Sequence, residues 1–298
     1  MERRELEYFL AIAEHGSYTA AAQALHVAQP SLSHAMSALE HRLGGKLFHR
    51  LPNGIALTPA GRALVEPARQ VMRDLATATD SVREVLGLTG GQLDIVAQTT
   101  LAVDPLAALL GEYLASYPNV AVHVLDPELG REVSASVRSG ECELGMVDSA
   151  TELPEMRSTL LPGREIRAVL PPAFAERAGT RIGLTELATM DFIATPVGTA
   201  TREIIEDVLG GCANPPRVAI ETAHQAMIVP LVVAGAGVSL LPKSMADDAT
   251  RSGAVVLPLR PRVVRRGRLF WRSGPLSPSA EQFVRLVDRT GNGRKQGR

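Results

Sequence analysis

The feature that most restricts the fold is a row of apolar side chains spaced alternately four and three apart: Leu64, Ala68, Val71, Leu75, Ala78, Val82 and Val85. Such spacing makes a three-heptad seam along one long helix. Thr58 is a good N-cap for it, and Pro59 a good first residue, where a missing N–H costs nothing. Pro67 either bends this helix or sits near its N-terminal end. Gly87 and then Gly90-Gly91 close it and mark a boundary. No fold surrounds the seam at this point of the chain, so it is expected to pair with another copy of itself. The alternative is an amphipathic helix packed on its own domain.

The residues ahead of the seam read as three short helices and a hairpin. Leu6, Phe9, Leu10 and Ala13 repeat as one helical face, which Gly16 stops. Ser17 or Thr19 can cap an alanine-rich turn from Ala20 to Leu25. Gln29-Pro30 opens a third helix and Gly44-Gly45 ends it. Pro52-Asn53-Gly54 between Leu47-Phe48 and Ile55-Ala56-Leu57 is a hairpin signal. Projected at 100° per residue, the third helix gathers Leu32, Ala35, Met36, Leu39 and Leu43 on one side. Pro30, Ser33, His34, Ser37 and His41 lie opposite, with Gln29 and Ser31 at the N-terminal end. This polar face has no acid, and its small residues let a backbone approach closely. Gln, Ser and His can read base edges or hold phosphates, and a helix N-terminus presents N–H groups to an anion. A plain solvated face is the alternative.

Charge is distributed unevenly behind a net of −1. Residues 1–90 carry 9 basic and 9 acidic side chains, residues 91–250 carry 10 and 21, and residues 251–298 carry 12 and 2. Leu25 to Arg62 holds Arg42, Lys46, Arg50 and Arg62 against Glu40, with His26, His34, His41 and His49 in the same stretch. That local field favours nucleic acid if the bases share one surface. Arg262, Arg265, Arg266, Arg268 and Arg272 form a second basic run, read either as another nucleic-acid patch or as a strand face paired with acids. No apolar run approaches the ~18 residues of a membrane span, and no secretory signal is present, so a cytoplasmic protein without a membrane partner is expected. Cys142 and Cys212 make neither a disulfide framework nor a four-cysteine zinc site.

From Gln92 strands and helices alternate. Leu93–Ala97, Val120–Leu125, Leu144–Val147, Arg167–Leu170, Asp191–Ala194, Val218–Ile220, Val238–Leu241 and Arg268–Trp271 read as strands. Asp104–Ser116, Arg202–Leu209, His224–Ala234 and Ser279–Val287 read as helices. The alternation predicts an open, largely parallel sheet with helices on both faces, splitting in two. The chain crosses at Pro162-Gly163 and returns near Val263 to Arg266.

The first sixty residues resemble the winged helix-turn-helix of LysR-type transcriptional regulators. The matching points are Phe9, Gly16, Ser17, Thr19, Ala21-Ala22, Leu25, Gln29-Pro30-Ser31-Leu32-Ser33, Leu39-Glu40, Leu43-Gly44, Leu47-Phe48, Arg50, Leu57-Thr58 and Ala60-Gly61. The rest of the chain is similar to that family in length and order. The resemblance implies an α/β protein with an N-terminal all-α winged helix-turn-helix over 1–58 and a long dimerising linker helix over 59–88. A two-lobed effector domain like periplasmic binding proteins would follow over 91–290. Lobe I would be 91–161 and 267–290, lobe II 162–266, and 291–298 a disordered tail.

The resemblance also implies roles. Gln29, Pro30, Ser33 and His34 would face the DNA groove, Thr19, Ser31 and Arg50 would hold phosphates, and Pro52 with Asn53 would form the wing tip. Where the family often carries Arg or Gln, this chain has His34 and Ala35, which makes base reading more sensitive to pH. Glu40 is read as a structural partner. Thr99 and Thr100, before a helix capped by Asp104, and Pro196, Gly198, Thr199 and Thr201 across the cleft would hold an effector, a carboxylate or other polar small molecule. Thr222 and His224 join them with less support. The expected partners are double-stranded DNA at a pseudo-palindromic promoter site, the effector, a second copy in a dimer or tetramer, and RNA polymerase. No cofactor, metal or catalytic set is expected, since no G-x-S-x-G, H-E-x-x-H, P-loop or C-x-x-C occurs. The rival readings are a solute sensor whose head has lost DNA specificity and an enzyme on a solute-binding fold.

Overall fold

A computed structural model describes residues 1–51, 54–85, 90–127, 130–177, 179–212 and 216–293. The chain separates into two compact units. One is built on residues 1–89 with the short stretches 138–142 and 276–278, and the other holds the remainder.

The first unit begins with α1 (Arg3–His15), α2 (Tyr18–Ala24) and α3 (Gln29–Leu43). Gly16 ends α1, and Ser17 rather than Thr19 caps α2, accepting from Ala20 N at 3.4 Å. Gly44, at φ 73°, closes α3 in the left-handed conformation that glycine adopts without strain. Strands β1 (Phe48–Leu51) and β2 (Gly54–Leu57) pair antiparallel, with Phe48 opposite Leu57 and Arg50 opposite Ile55. Leu6, Phe9, Ile12, Ala21, Ala22, Leu32, Met36, Leu39, Leu47 and Phe48 form the core. Leu43 departs from the expected apolar side of α3, since it is 50% exposed where the helix end leaves the core.

Helix α4 (Pro59–Val85) runs unbroken through Pro67, which therefore lies inside it and not near its end. Its seam divides. Leu64 and Ala68 join the core of the same unit, whereas Val71 and Leu75 are each 42% exposed and Val82 is 60% exposed. The packed-helix reading thus describes the N-terminal part of the helix, and the seam beyond it is exposed on the single chain. The Val85 side chain, Gly87, Pro52 and Asn53 lie outside the described residues.

Thr58 joins hairpin to helix. Its N–H donates to Leu47 O at 2.9 Å, its hydroxyl donates to Lys46 O at 2.7 Å, and the same oxygen accepts from Gly61 N at 2.9 Å. Gly61 sits so close to the strand that a Cβ would fall 2.1 Å from Leu47 O. No residue but glycine fits that approach.

The second unit contains two mixed sheets. In the first, β3 (Gly91–Ala97) runs parallel to β4 (Val120–Leu125) and β5 (Leu144–Asp148). Strand β14 (Gly267–Arg272) then pairs antiparallel with β5 and with β6 (Met156–Leu160). In the second, β7 (Arg164–Leu170) is antiparallel to β11 (Ser239–Pro242), β12 (Val255–Arg260) and β13 (Val264–Arg265). Strand β8 (Ile182–Gly183) extends that sheet along β12, and β9 (Asp191–Ala194) with β10 (Arg217–Glu221) forms a parallel pair. The expected largely parallel arrangement is corrected: chain crossings between the sheets reverse β7 and β14. The chain passes from first to second sheet at 161–163 and back at 266.

Helices α5 (Thr99–Leu101) and α6 (Ala107–Ser116) are joined by a π-helical stretch, Ala102–Leu106. Asp104 lies inside that stretch with extended dihedrals (φ −149°, ψ 114°), so it is not the N-cap expected from the sequence. Its carboxylate instead accepts the Ser244 hydroxyl at 2.8 Å. Helix α7 (Gly130–Ser139) and the short α8 (Leu184–Leu187) follow in order. Helix α9 (Ala200–Leu209) starts two residues earlier than expected. The helix expected from His224 is a 3-10 turn, Gln225–Met227, followed by α10 (Ile228–Val233). Helix α11 (Lys243–Arg251) covers the second sheet. Helix α12 (Pro278–Gly293) extends into the segment expected to be a disordered tail, and 294–298 lie outside the described residues.

Candidate functional sites

On α3 the apolar and polar sides are sorted by burial. Leu32, Met36 and Leu39 are fully buried, while Gln29, Pro30, Ser31, His34, Ser37 and His41 are exposed and Ser33 is half-buried. The one acid of this helix, Glu40, is turned inward, accepting from Leu47 N at 2.9 Å and from Lys46 Nζ at 2.7 Å. The outer surface of α3 is therefore free of negative charge, as a helix facing phosphates requires. Its N-cap is Ala28, which offers no side-chain acceptor. The Ser31 and Leu32 amides fold back on Ala28 O at 3.0 and 3.2 Å, and Pro30 has no N–H, so the helix end presents fewer free donors than the sequence promised. Thr19 on α2 and Arg50 on β1 are exposed.

Two of the basic residues of this stretch have structural work. Arg42 hydrogen-bonds the buried carboxylate of Glu5, and Lys46 meets Glu40. The Arg42 hydrogen bond holds the Glu5 carboxyl below its ordinary range, against the opposing effect of burial. A depressed acid contributes stability that is lost as pH falls through its folded value.

In the second unit a cavity of about 310 Å³ lies where loops of the first sheet meet those of the β9–β10 pair. Its walls come from residues that directly follow strands: Thr99 after β3, Asp126 after β4, Thr195 to Thr201 after β9, and Ala223 to Ala226 after β10. Ligands in open α/β sheets sit outside the carboxyl ends of strands, for the same topological reason. The sequence-predicted Thr99, Pro196, Thr199, Thr201 and His224 lie on the wall. Thr100, Gly198 and Thr222 do not. Thr100 is buried and its carbonyl accepts from Arg164, Gly198 (φ 85°) shapes the turn behind Thr199, and the Thr222 hydroxyl accepts from His224 N at 3.1 Å. Thr195 opens the threonine-rich turn matched to the ligand turn and also lies on the wall, whereas Asp126 and Gln225 escaped sequence reading. For Asp126 the signal was its place immediately after β4.

The buried Gln98, directly after β3, links the first sheet to α9. Its Oε1 accepts from Asp148 N at 2.9 Å, and its Nε2 donates to Glu203 on α9 at 3.4 Å. Burial pushes the Glu203 carboxyl up, opposed by the Gln98 hydrogen bond and the charge of Arg265. A raised acid binds its proton more tightly in the folded state, so its cost is present at neutral pH and disappears as pH falls toward the ordinary carboxylate range. Glu203→Gln keeps an acceptor for Gln98 and removes the charge. Its melting temperature is expected to exceed that of the parent at pH 7, with the gap closing toward pH 5. A gap that ignores pH between those values would contradict this.

Two of the five arginines in the second basic run are paired with acids. Arg262 meets Glu165 at 3.0 Å, and Arg265 meets Asp148 at 3.1 Å and Asp207 at 3.0 Å. This favours the strand-face reading over a second nucleic-acid patch.

Comparison with known proteins gives the frame for both sites. The family profile described as bacterial regulatory helix-turn-helix protein, lysR family, matches residues 3–62, and that of the LysR substrate binding domain matches residues 86–291. The transcriptional regulator ShiR of Corynebacterium glutamicum is 31% identical over 242 residues, covering 80% of this chain and 82% of ShiR. TfdS of Cupriavidus pinatubonensis is 30% identical over 249 residues, covering 83% and 84%. Among solved structures, full-length CbnR complexed with its target DNA has a TM-score of 0.70 at 24% identity, covering 97% of this chain and 100% of that one. Full-length OxyR from Pseudomonas aeruginosa has a TM-score of 0.75 at 24% identity, covering 97% and 94%. These two establish the fold. Two profiles spanning nearly the whole chain, and relatives of this identity and coverage, establish more: the chain belongs to the LysR family of DNA-binding transcriptional regulators, which carry an effector-binding domain and are not enzymes.

Proposed function

We propose that two copies of the chain pair through α4, so that two α3 helices enter successive major grooves of a pseudo-palindromic promoter site. A small molecule in the cavity between the sheets then changes the spacing of the two heads. The observation that carries this reading is the outer face of α3, polar and without an acid, on a unit whose α4 leaves Val71, Leu75 and Val82 uncovered. Gln29, Pro30, Ser33 and His34 face the groove, with Ser33 contributing least because it is half-buried. Thr19, Ser31 and Arg50 hold phosphates, and Pro52 with Asn53 approaches the adjoining minor groove. The effector is held by Thr99, Pro196, Thr199, Thr201 and His224. Thr100, Gly198 and Thr222 shape the walls from behind. The regulator works in the cytoplasm, as a dimer or a tetramer built from two dimers, and meets RNA polymerase at the promoter. No described helix is long and apolar enough to cross a membrane.

Ligand can shift a regulator only through unequal affinity for two shapes. Footprints with and without a ligand that stabilises the protein are expected to differ in protected span. An unchanged footprint with unchanged transcription would overturn the spacing mechanism. Arg50→Ala is expected to weaken binding to all duplexes alike and to lower the salt slope by roughly one unit. Gln29→Ala is expected to cost about 1–3 kcal/mol at the preferred site and far less on random DNA. Equal losses on both sequences would remove Gln29 from base reading.

A further inference from the structure

Tyr18 is the first residue of α2, directly before the exposed Thr19. Its ring is half-buried, packs on the core of the first unit and stands edge-on to Phe48, with centroids 6.1 Å apart and planes at 69°. Arg50 follows Phe48 by two residues along β1, and its charge reaches the Tyr18 hydroxyl.

The ring is fixed, yet the hydroxyl has no work in the fold. Among the described residues it makes no hydrogen bond, and its oxygen is not sealed from solvent. The carboxylate whose charge reaches it, Glu40, is occupied elsewhere: Oε1 accepts from Leu47 N at 2.9 Å and Oε2 from Lys46 Nζ at 2.7 Å. Burial pushes the ionisation of the phenol up, Glu40 adds to the shift and Arg50 opposes it, so the group keeps its proton at neutral pH. A protonated phenol donates, and phosphate oxygens accept.

On the reading that Thr19 and Arg50 hold phosphates, we infer that Tyr18 is a further DNA contact, its hydroxyl donating to a backbone phosphate beside theirs. The packing of the ring on Phe48 has already restricted the side chain, so little freedom is lost when DNA arrives. A contact of this kind fixes the position of the head on the duplex and carries no sequence information.

The test compares full-length Tyr18→Phe, which keeps the ring and deletes the oxygen, with the parent on a random-sequence duplex, where phosphate contacts supply essentially all of the affinity. Affinity is expected to fall roughly tenfold, the size of one hydrogen bond to a charged group. The melting temperature of the free protein should not change. Nor should the slope of log affinity against log salt, because a neutral donor releases no counterion. Duplexes in which single phosphates are replaced by uncharged methylphosphonates should locate the contact: at its position the replacement weakens the parent but not Tyr18→Phe. An unchanged affinity would overturn the proposal. So would a lowered salt slope, which would mean that the hydroxyl acts by placing Arg50, or a loss accompanied by a lower melting temperature. Arg50→Ala, measured alongside, separates the inference from the reading beneath it. If Arg50→Ala weakens binding and Tyr18→Phe does not, the hydroxyl alone is excluded. If neither weakens binding, the phosphate-facing reading of this surface falls as well.

Discussion

Aspartates at Leu75 and Val82 are expected to leave the protein monomeric and to abolish tight binding to a two-half-site operator. Both side chains are exposed on one chain, at 42% and 60%, and neither belongs to the core of the folded unit. In a paired helix the same positions face a second copy, where unpartnered carboxylates cost several kcal/mol each. Once the copies separate, the second half-site is no longer reached at a high effective concentration, and affinity falls on the order of 10²–10⁴-fold. Light scattering should report one chain per particle, circular dichroism an unchanged helix content, and a titration with single half-sites an unchanged affinity. A double variant that stays dimeric would show that α4 is not the pairing surface.

The largest loss of stability is expected at Arg164. This side chain is 6% exposed on β7, directly after the first crossing between the sheets. Its Nη1 donates to Thr100 O at 2.9 Å and to Asp104 O at 3.3 Å. Burial pushes its guanidinium down to about 10, with Asp104 and Asp148 opposing the shift, so it remains charged at neutral pH. The two carbonyls it satisfies belong to Thr100 in the short α5 and to Asp104 in the π-helical stretch. Arg164→Ala removes the buried guanidinium from both and is expected to cost about 3–5 kcal/mol. Arg164→Lys reaches one carbonyl and should recover part of that. Denaturant unfolding of both variants measures the difference, and a loss under about 1 kcal/mol for alanine would mean that water replaces the guanidinium.

The N-terminal unit was legible because its signals are local. Apolar spacing, caps and glycine stops state where α1 to α3 begin and end, and the Asn-Gly hairpin signal needs only four residues. The division of the α4 seam was not, since whether Leu64 and Ala68 meet a core depends on α1 and the hairpin folding back over them. In the second unit the strands of alternating apolar residues stood out, but their direction did not. Strand β14 is antiparallel because the chain has already crossed twice, which no local pattern encodes. Asp104 illustrates a different failure. An acid before Pro105 reads as a cap, yet here the helix starts five residues earlier and Asp104 is drawn out of it toward Ser244. The wall residues in threonine-rich turns were visible, whereas Asp126 and Gln225 became wall residues only through the packing of one sheet's loops against the other's.

The junction at Thr58 has a mechanical consequence. Three hydrogen bonds and the Gly61 contact fix the start of α4 to the backbone of Lys46 and Leu47, with Glu40 anchoring the same Leu47 amide to α3. Hairpin, α3 and the first turn of α4 are thereby fastened into one piece. Movement of that end of α4 carries α3 with it, so the orientation of the polar face follows the root of the long helix and not the loops between.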